Sequence, residues 1–143
     1  MCLYEYEEVE IDEVIAYKLM LVTPIEEMQE YDKTSIKYKP HEPSEDTPGS
    51  LYAPVSYKLG VWYKARETMT KRQLRRMACD ERYNRGFHAY RKLPDWCIGK
   101  DLMFYKVKLR GVFGEGMQYG RGDITYVADR MQIIEKVNYS RGF

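Results

Sequence analysis

The sequence is poor in the residues that form metal centres and disulfide frameworks. Its 143 residues include 3 cysteines and 2 histidines, and no two cysteines stand in a C-x-x-C spacing. Three cysteines at widely separated positions favour free thiols in a reducing compartment over a disulfide framework. Because no cysteine or histidine pair has a chelating spacing, the sequence predicts no metal site. No motif in it predicts a bound cofactor either.

Long apolar runs and the common catalytic motifs are also missing. No run approaches the roughly 20 apolar residues that a membrane-spanning helix needs. The chain starts with the acidic stretch MCLYEYEEVEIDE, whereas a signal peptide starts with basic residues. Neither a G-x-x-x-x-G-K-S/T phosphate loop nor a G-x-S-x-G nucleophile motif is present. We therefore expect a cytoplasmic protein that has no membrane partner.

Tyrosine is the residue in which the chain is rich. There are 14 tyrosines, and tyrosine favours half-buried strands because its ring packs while its hydroxyl reaches water. The length suits one domain with a real core and is too short for two. We therefore predict a single domain over residues 1–143. A flexible loop is expected at about residues 33–50, where three prolines and a glycine gather.

Two segments have clear strand patterns. Residues 14–23 are apolar and end before Pro24, which predicts a short strand buried on both faces. Residues 102–110 alternate apolar and basic side chains, which predicts a half-buried antiparallel strand. Its buried face would carry Met103, Tyr105, Val107 and Leu109, and its polar face Lys106, Lys108 and Arg110.

The segments that follow are less regular. Residues 111–123 contain five glycines, which predicts a long flexible hairpin loop. Residues 124–137 mix helical and strand periodicities. For them we predict a short turn at residues 128–130 followed by a strand, because the end of the segment is short and rich in β-branched residues.

One helix is predicted, over residues 70–83. Thr70 and Gln73 form a capping-box pair at its start, and Gly86 provides a stop beyond its end. A single helical turn after Pro24 is a second candidate. The fold class that follows is α+β, a mainly antiparallel twisted sheet with one or two short helices.

The predicted helix is strongly basic, and aromatic residues follow it. It contains two pairs of like-charged residues, and the two members of each pair are four residues apart. Such pairs mildly destabilise a helix. A sequence that accepts this small cost in stability indicates that the charges are presented to an anionic partner. Interleaved basic and aromatic residues are typical of surfaces that bind single-stranded nucleic acid. The candidate binding residues are Lys71, Arg72, Arg75, Arg76, Tyr83, Arg85, His88 and Tyr90.

The opposite explanation is a solvated basic surface that the acidic half of the chain partly neutralises. Residues 1–50 carry 13 acids and 4 bases, whereas residues 51–143 carry 9 acids and 19 bases. Such halves can fold against each other, or they can mark an electrostatic binding surface. The sequence leaves both explanations open.

His88 lies among aromatic residues in the stretch RGFHAY. If residues 86–90 form a strand, His88 and Tyr90 share one face of it. Three roles are open: a structural histidine that bonds a backbone carbonyl or a tyrosine hydroxyl, a donor in a binding pocket, and a catalytic base. No nucleophile or orienting carboxylate lies near it in sequence, so the structural role is our working hypothesis.

The order of the segments VIAYKL, LGVWYKA, RGFHAY, FYKVKLRGVF and YVADRMQIIEKV resembles a family of small uncharacterised domains of phage and bacterial genomes. The likeness covers about residues 14–137, and residues 86–89 (Gly-Phe-His-Ala) are its most specific part. The chain departs from the family in the long loop at residues 31–50 and in the basic helix. The resemblance implies a fold and a phage-type origin, and it carries over no activity.

Two functions from different classes are open. The first is a small phage-type accessory protein that binds a host protein or a nucleic acid in the host cytoplasm, without catalysis. The alternative is an NAD-using enzyme of the ADP-ribosyltransferase type, an analogy of fold and fragment. That enzyme would need a catalytic glutamate, and Glu115 and Glu135 are the only late candidates.

Overall fold

The computed structural model describes residues 3–23, 42–50, 55–68, 86–95, 99–118 and 123–138. Nearly all regular structure in this part of the chain is antiparallel sheet. The elements are β1 (Leu3–Leu21), β2 (Trp62–Lys64), a 3-10 turn (Ala65–Thr68), β3 (Phe87–Tyr90), β4 (Leu102–Gln118) and β5 (Ile124–Lys136).

The predicted α+β class is wrong. The described residues contain no α-helix, and their strands are longer than the sequence pattern predicts. The acidic N-terminal stretch belongs to β1, and part of the glycine-rich segment belongs to β4. The helix predicted over residues 70–83 and the helical turn after Pro24 lie outside the described residues. Within the described ranges, no helix has the length and apolar character needed to cross a membrane.

The five strands form one sheet that closes on itself. Their order is β2-β5-β3-β1-β4, and β4 also pairs with β5. β4 therefore lies between β1 and β5 along most of its length. β3 closes the other side: all four of its residues pair with β5, but only Tyr90 pairs with β1, opposite Tyr17. Closure reduces the free edges through which sheets associate.

β4 and β5 bend together at one corner of the sheet. Leu109 and Val112 are three residues apart and both lie in the core, so β4 changes faces between them. Gly111 has a φ of 63°, a left-handed conformation that glycine adopts readily. Ala128 and Met131 show the same change on β5, which is one continuous strand. The turn predicted in this segment is therefore wrong, because the irregular apolar spacing marks a bend within a strand.

The main core lies on one face of the closed sheet. The half-buried strand predicted at residues 102–110 is confirmed, since its apolar side chains pack in this core. The strand predicted at residues 14–23 exists, but it begins earlier, and its second face is buried only in part, with Ile15 37% and Leu21 2% exposed. The core residues of the long strands are Ala16, Met20, Tyr105, Val107, Leu109, Val112, Tyr126, Ala128, Met131 and Ile133.

A second, smaller cluster accounts for the glycines of β4. Tyr6 of β1 packs against the cluster that contains Phe113 and Val127. A Cβ atom at Gly114 would overlap the Tyr6 ring, so the glycine leaves room for that ring. The flexible loop predicted from these glycines is wrong for residues 111–118, because the glycines let β1 cross closely over a strand.

The described part of the predicted loop, residues 42–50, is tied to the sheet. Gly49 forms a β-bridge with Leu21, at the end of β1. The hydroxyl of Tyr105 donates a hydrogen bond of 2.6 Å to the backbone oxygen of Glu45. The earlier residues of that loop lie outside the described ranges.

Candidate functional site

Two of the eight predicted binding residues fall within the described part of the chain. These are His88 and Tyr90, both on β3. The predicted basic helix and its neighbours therefore remain a prediction. The binding residues that lie outside the described ranges are Lys71, Arg72, Arg75, Arg76, Tyr83 and Arg85.

His88 occupies the position predicted for a strand residue beside a turn. Phe87 and Ala89 pack in the core, so His88 and Tyr90 point to the other face of β3. The Nδ1 atom of His88 lies 3.1 Å from the backbone oxygen of Gly86. Because a carbonyl oxygen can only accept a hydrogen bond, Nδ1 carries the ring proton and donates the hydrogen bond. This is the backbone hydrogen bond that the structural hypothesis requires.

Lys18 joins His88 from β1. It lies between Ala16 and Met20 on the core side of the strand. Its ammonium group donates a hydrogen bond of 2.7 Å to the backbone oxygen of His88. Burial lowers the pKa of Lys18 to about 8. Burial first, and then the Lys18 charge, lower the pKa of His88 to about 3. His88 is therefore neutral near pH 7, and its pKa lies far from that of an efficient general base.

Tyr90 is packed rather than presented to solvent. It is 7% exposed, and its ring meets Phe104 edge-on with centroids 6.0 Å apart. Its hydroxyl donates a hydrogen bond to the side-chain oxygen of Gln118. The Tyr90 side chain therefore contacts residues near both ends of β4, and its ring offers little surface on which a base could stack.

A different basic and aromatic surface lies on the sheet itself. Where β1, β4, β5 and β2 run side by side, alternate residues point away from the main core. We call the surface formed by these residues the outer face. Its members are Glu13, Ile15 and Tyr17 on β1, Lys106, Lys108 and Arg110 on β4, Arg130, Gln132 and Glu135 on β5, and Trp62 and Lys64 on β2.

One row across the outer face places three cations on neighbouring strands. Arg110 lies directly opposite Arg130, which in turn lies opposite Lys64. Like charges that face each other across strands destabilise a sheet. Glu13 stands at the end of this row, and its carboxylate accepts a 2.7 Å hydrogen bond from Nε of Arg110. That hydrogen bond lowers the pKa of Glu13.

The next row carries an aromatic ring. It contains Lys108 and Trp62, which lie on either side of Gln132. The guanidinium carbon of Arg110 lies 4.3 Å from the centroid of the Trp62 ring. Arg110 is therefore held both by a carboxylate and by an aromatic face, a cation–π contact that adds to the ion pair.

The charges of the outer face are incompletely balanced. Five cations stand there against the carboxylates of Glu13 and Glu135, and the exposed carboxylates of Asp12 and Asp129 lie next to them at the bend. Within the described ranges, the four cations other than Arg110 form no ion pair: Lys64, Lys106, Lys108 and Arg130. Acids of the N-terminal half do reach bases of the C-terminal half at Arg110–Glu13 and at Lys136–Glu45, 3.4 Å apart. Neutralisation between the halves is thus present but partial.

The glutamates considered for an ADP-ribosyltransferase do not join His88. Glu115 lies opposite Tyr126, whose ring packs in the main core, whereas His88 faces the other way opposite Val127. Glu135 lies on the outer face beside Lys106. The described residues contain no group of three or more side chains that could hold a metal ion.

Comparison with known proteins gives no match to a family model, a curated protein or a solved structure. The sequence pattern already separated Lys106, Lys108 and Arg110 from the apolar side of their strand. It did not place Trp62 among them, because that neighbour comes from cross-strand register alone.

Proposed function

We propose that this protein binds nucleic acid through the outer face. The observation that carries the proposal is the row formed by Arg110, Arg130 and Lys64, where like charges lie directly opposite one another. Such a row costs stability in the free protein, and a polyanion removes that cost. The proposal narrows the wider expectation of a phage-type accessory protein that binds a host protein or a nucleic acid.

Lys106 and Lys108 extend the same positive surface along β4. A phosphate backbone presents regularly spaced negative charges, and each cation that neutralises one phosphate releases condensed counterions. Four of the five outer-face cations have no ion-pair partner among the described residues, so they can contact phosphates without first breaking an internal pair.

The acids of β1 are concentrated at one end of that strand. Six of them fall between Glu5 and Glu13, whereas the rest of β1 has none. The N-terminal part of β1 that precedes Glu13 is therefore negative, whereas the outer face next to it along the strand is mainly positive. A bound strand is expected to lie over β4 and β5 and to avoid the N-terminal part of β1, since like charges repel.

Charge reversal on β4 tests the proposal. A labelled oligonucleotide of about 16 nucleotides suits a compact site, and its fluorescence anisotropy reports binding. Replacing Lys106 and Lys108 together by glutamate is expected to weaken binding more than about tenfold at low salt. The single variant Lys92→Glu is the control, because Lys92 is exposed, follows β3 and is not one of the residues that form the outer face.

The pair Arg72→Glu and Arg75→Glu tests the basic helix predicted from the sequence. A loss confined to that pair, with Lys106 and Lys108 reversed at no cost, would move the interface away from the outer face. An absence of oligonucleotide binding by the native chain at about 50 mM salt would contradict the proposal outright. Binding of an acidic protein in place of the oligonucleotide would do so as well.

A further inference from the structure

We infer that the outer face selects single-stranded nucleic acid, and that one base stacks on the guanidinium plane of Arg110. The inference rests on the proposed function and names its substrate class. Glu13 and Trp62 act as positioning residues that hold this plane.

Two independent contacts fix the Arg110 side chain. Its Nε donates to the Glu13 carboxylate at 2.7 Å, and its guanidinium carbon lies 4.3 Å from the centroid of the Trp62 ring. The guanidinium is planar, and its carbon lies over the indole ring. The Arg110 side chain is 51% exposed, which leaves part of it accessible to a ligand.

Cations surround this platform at the spacing of the sheet. Arg130 lies directly opposite Arg110, and Lys108 is the neighbouring outer-face residue on the same strand. Adjacent strands are about 4.8 Å apart. The phosphates on either side of a base stacked on Arg110 therefore come within reach of long basic side chains.

Among the described residues, the outer face has no element of the kind that reads a duplex through its major groove. The bases of a duplex stack on one another, and a helix or a two-stranded ribbon typically reads their edges there. Within the described ranges the outer face is made of sheet side chains and carries no projecting helix. An unpaired base, in contrast, can stack on an arginine plane or an aromatic ring.

The first experiment compares single strands with a duplex of the same sequence. The probes are a labelled DNA single strand of about 16 nucleotides, the matching RNA, and the DNA duplex. Tighter binding of either single strand than of the duplex is the expected result. Equal or tighter duplex binding overturns the inference and leaves the proposed function standing, whereas no binding of any probe overturns both.

The second experiment separates the plane of Arg110 from its charge. Arg110→Lys keeps the charge and loses the planar surface, so single-strand affinity is expected to fall about tenfold with an unchanged dependence on salt. Arg130→Lys is the matched control, because Arg130 lies on the same face and has no aromatic partner among the described residues. An equal loss in both variants overturns the platform.

Glu13→Gln is a further test, because the stacking platform and simple charge attraction predict opposite changes in affinity. Removing a negative charge makes the outer face more positive, so simple attraction predicts tighter binding. Loss of the carboxylate also frees the Arg110 side chain, so the platform predicts weaker binding of single strands. Tighter binding by this variant overturns the role of Glu13. Thermal melting of each variant verifies that the fold is retained.

Discussion

Lys18 and His88 are joined by a side-chain hydrogen bond where β1 faces β3. The Lys18 ammonium group donates to the His88 oxygen, and the His88 ring donates to the Gly86 oxygen. These side-chain bonds stand where the two strands share only one residue pair. Their titration is therefore expected to affect the folded state more than any binding activity.

The pKa of His88, lowered from 6.5 to about 3, makes the protein sensitive to acid. The unfolded chain binds the extra proton between these values and the folded chain does not. This contribution to stability is complete above the unfolded pKa and is lost as pH falls through the folded one. A decrease on the order of a few kcal/mol in the free energy of unfolding is expected between about pH 7 and pH 3. Urea titrations at several pH values measure it.

His88→Gln removes the titrating ring and should flatten this acid response. The matched control is His41→Gln, which replaces the other histidine of the chain. Identical pH profiles for the native protein and His88→Gln would show that the buried ring is not the cause. A full loss of binding with unchanged stability would instead indicate a pocket role for His88.

The elements differ in how well the sequence predicts them. The alternation in the first half of β4 has a local cause, because one side chain in two meets the core, and that prediction is confirmed. The second half of β4 contains glycines, which have low strand propensity. They are retained because β1 crosses close above them, a contact between segments about a hundred residues apart that no local pattern reveals.

Gly116 offers a test of this close crossing. A Cβ atom there would meet Cβ of Leu3 at 2.9 Å and the backbone oxygen of Tyr4 at 3.0 Å, so β1 would have to move. Gly116→Ala is expected to lower the free energy of unfolding by about 1–3 kcal/mol, the usual cost of overpacking. Gly99→Ala is the control, since among the described residues no atom beyond its chain neighbours lies within 4 Å of its Cβ position. It should change stability by less than about 0.5 kcal/mol. Equal effects in chemical denaturation would contradict this account.

At the scale of the whole molecule, charge is distributed by the closed sheet rather than by the order of the sequence. The acidic first half and the basic second half share the same sheet, and they neutralise each other at only some positions. Glu13 and Arg110, which are 97 residues apart, form one of these contacts. The composition indicates two charged halves, but the cross-strand register decides which cations stay uncompensated.

The salt dependence of binding measures how many of these uncompensated cations contact phosphates. Each phosphate contact on a single strand contributes about −0.7 to the slope of log affinity against log salt concentration. Lys108→Gln is therefore expected to reduce the magnitude of that slope by roughly 0.7. Lys92→Gln changes an exposed lysine that is not part of the outer face, so it should leave the slope unchanged. Equal slopes for the native protein and both variants would place the phosphate contacts elsewhere.

The sequence predicts the chemistry of the candidate site but not the residues that form it. Interleaved basic and aromatic residues point to an anionic partner wherever they occur, and the local sequence pattern indicates them at residues 71–90. The outer face uses the same chemistry, but it is assembled from four strands. Lys64 meets Arg130 and Glu13 meets Arg110 through long-range pairing, which a scan for local spacing does not detect.

The single pair between Tyr17 and Tyr90 gives the closed sheet a preferred place to open. Breaking that pair and the Lys18 bond would detach β3 from β1, while the long ladders of β4 with β1 and β5 stayed intact. Local opening requires less free energy where fewer bonds hold a segment. In the language of native-state hydrogen exchange, β3 belongs to an early-exchanging unit, and the amides of central β4 report global unfolding.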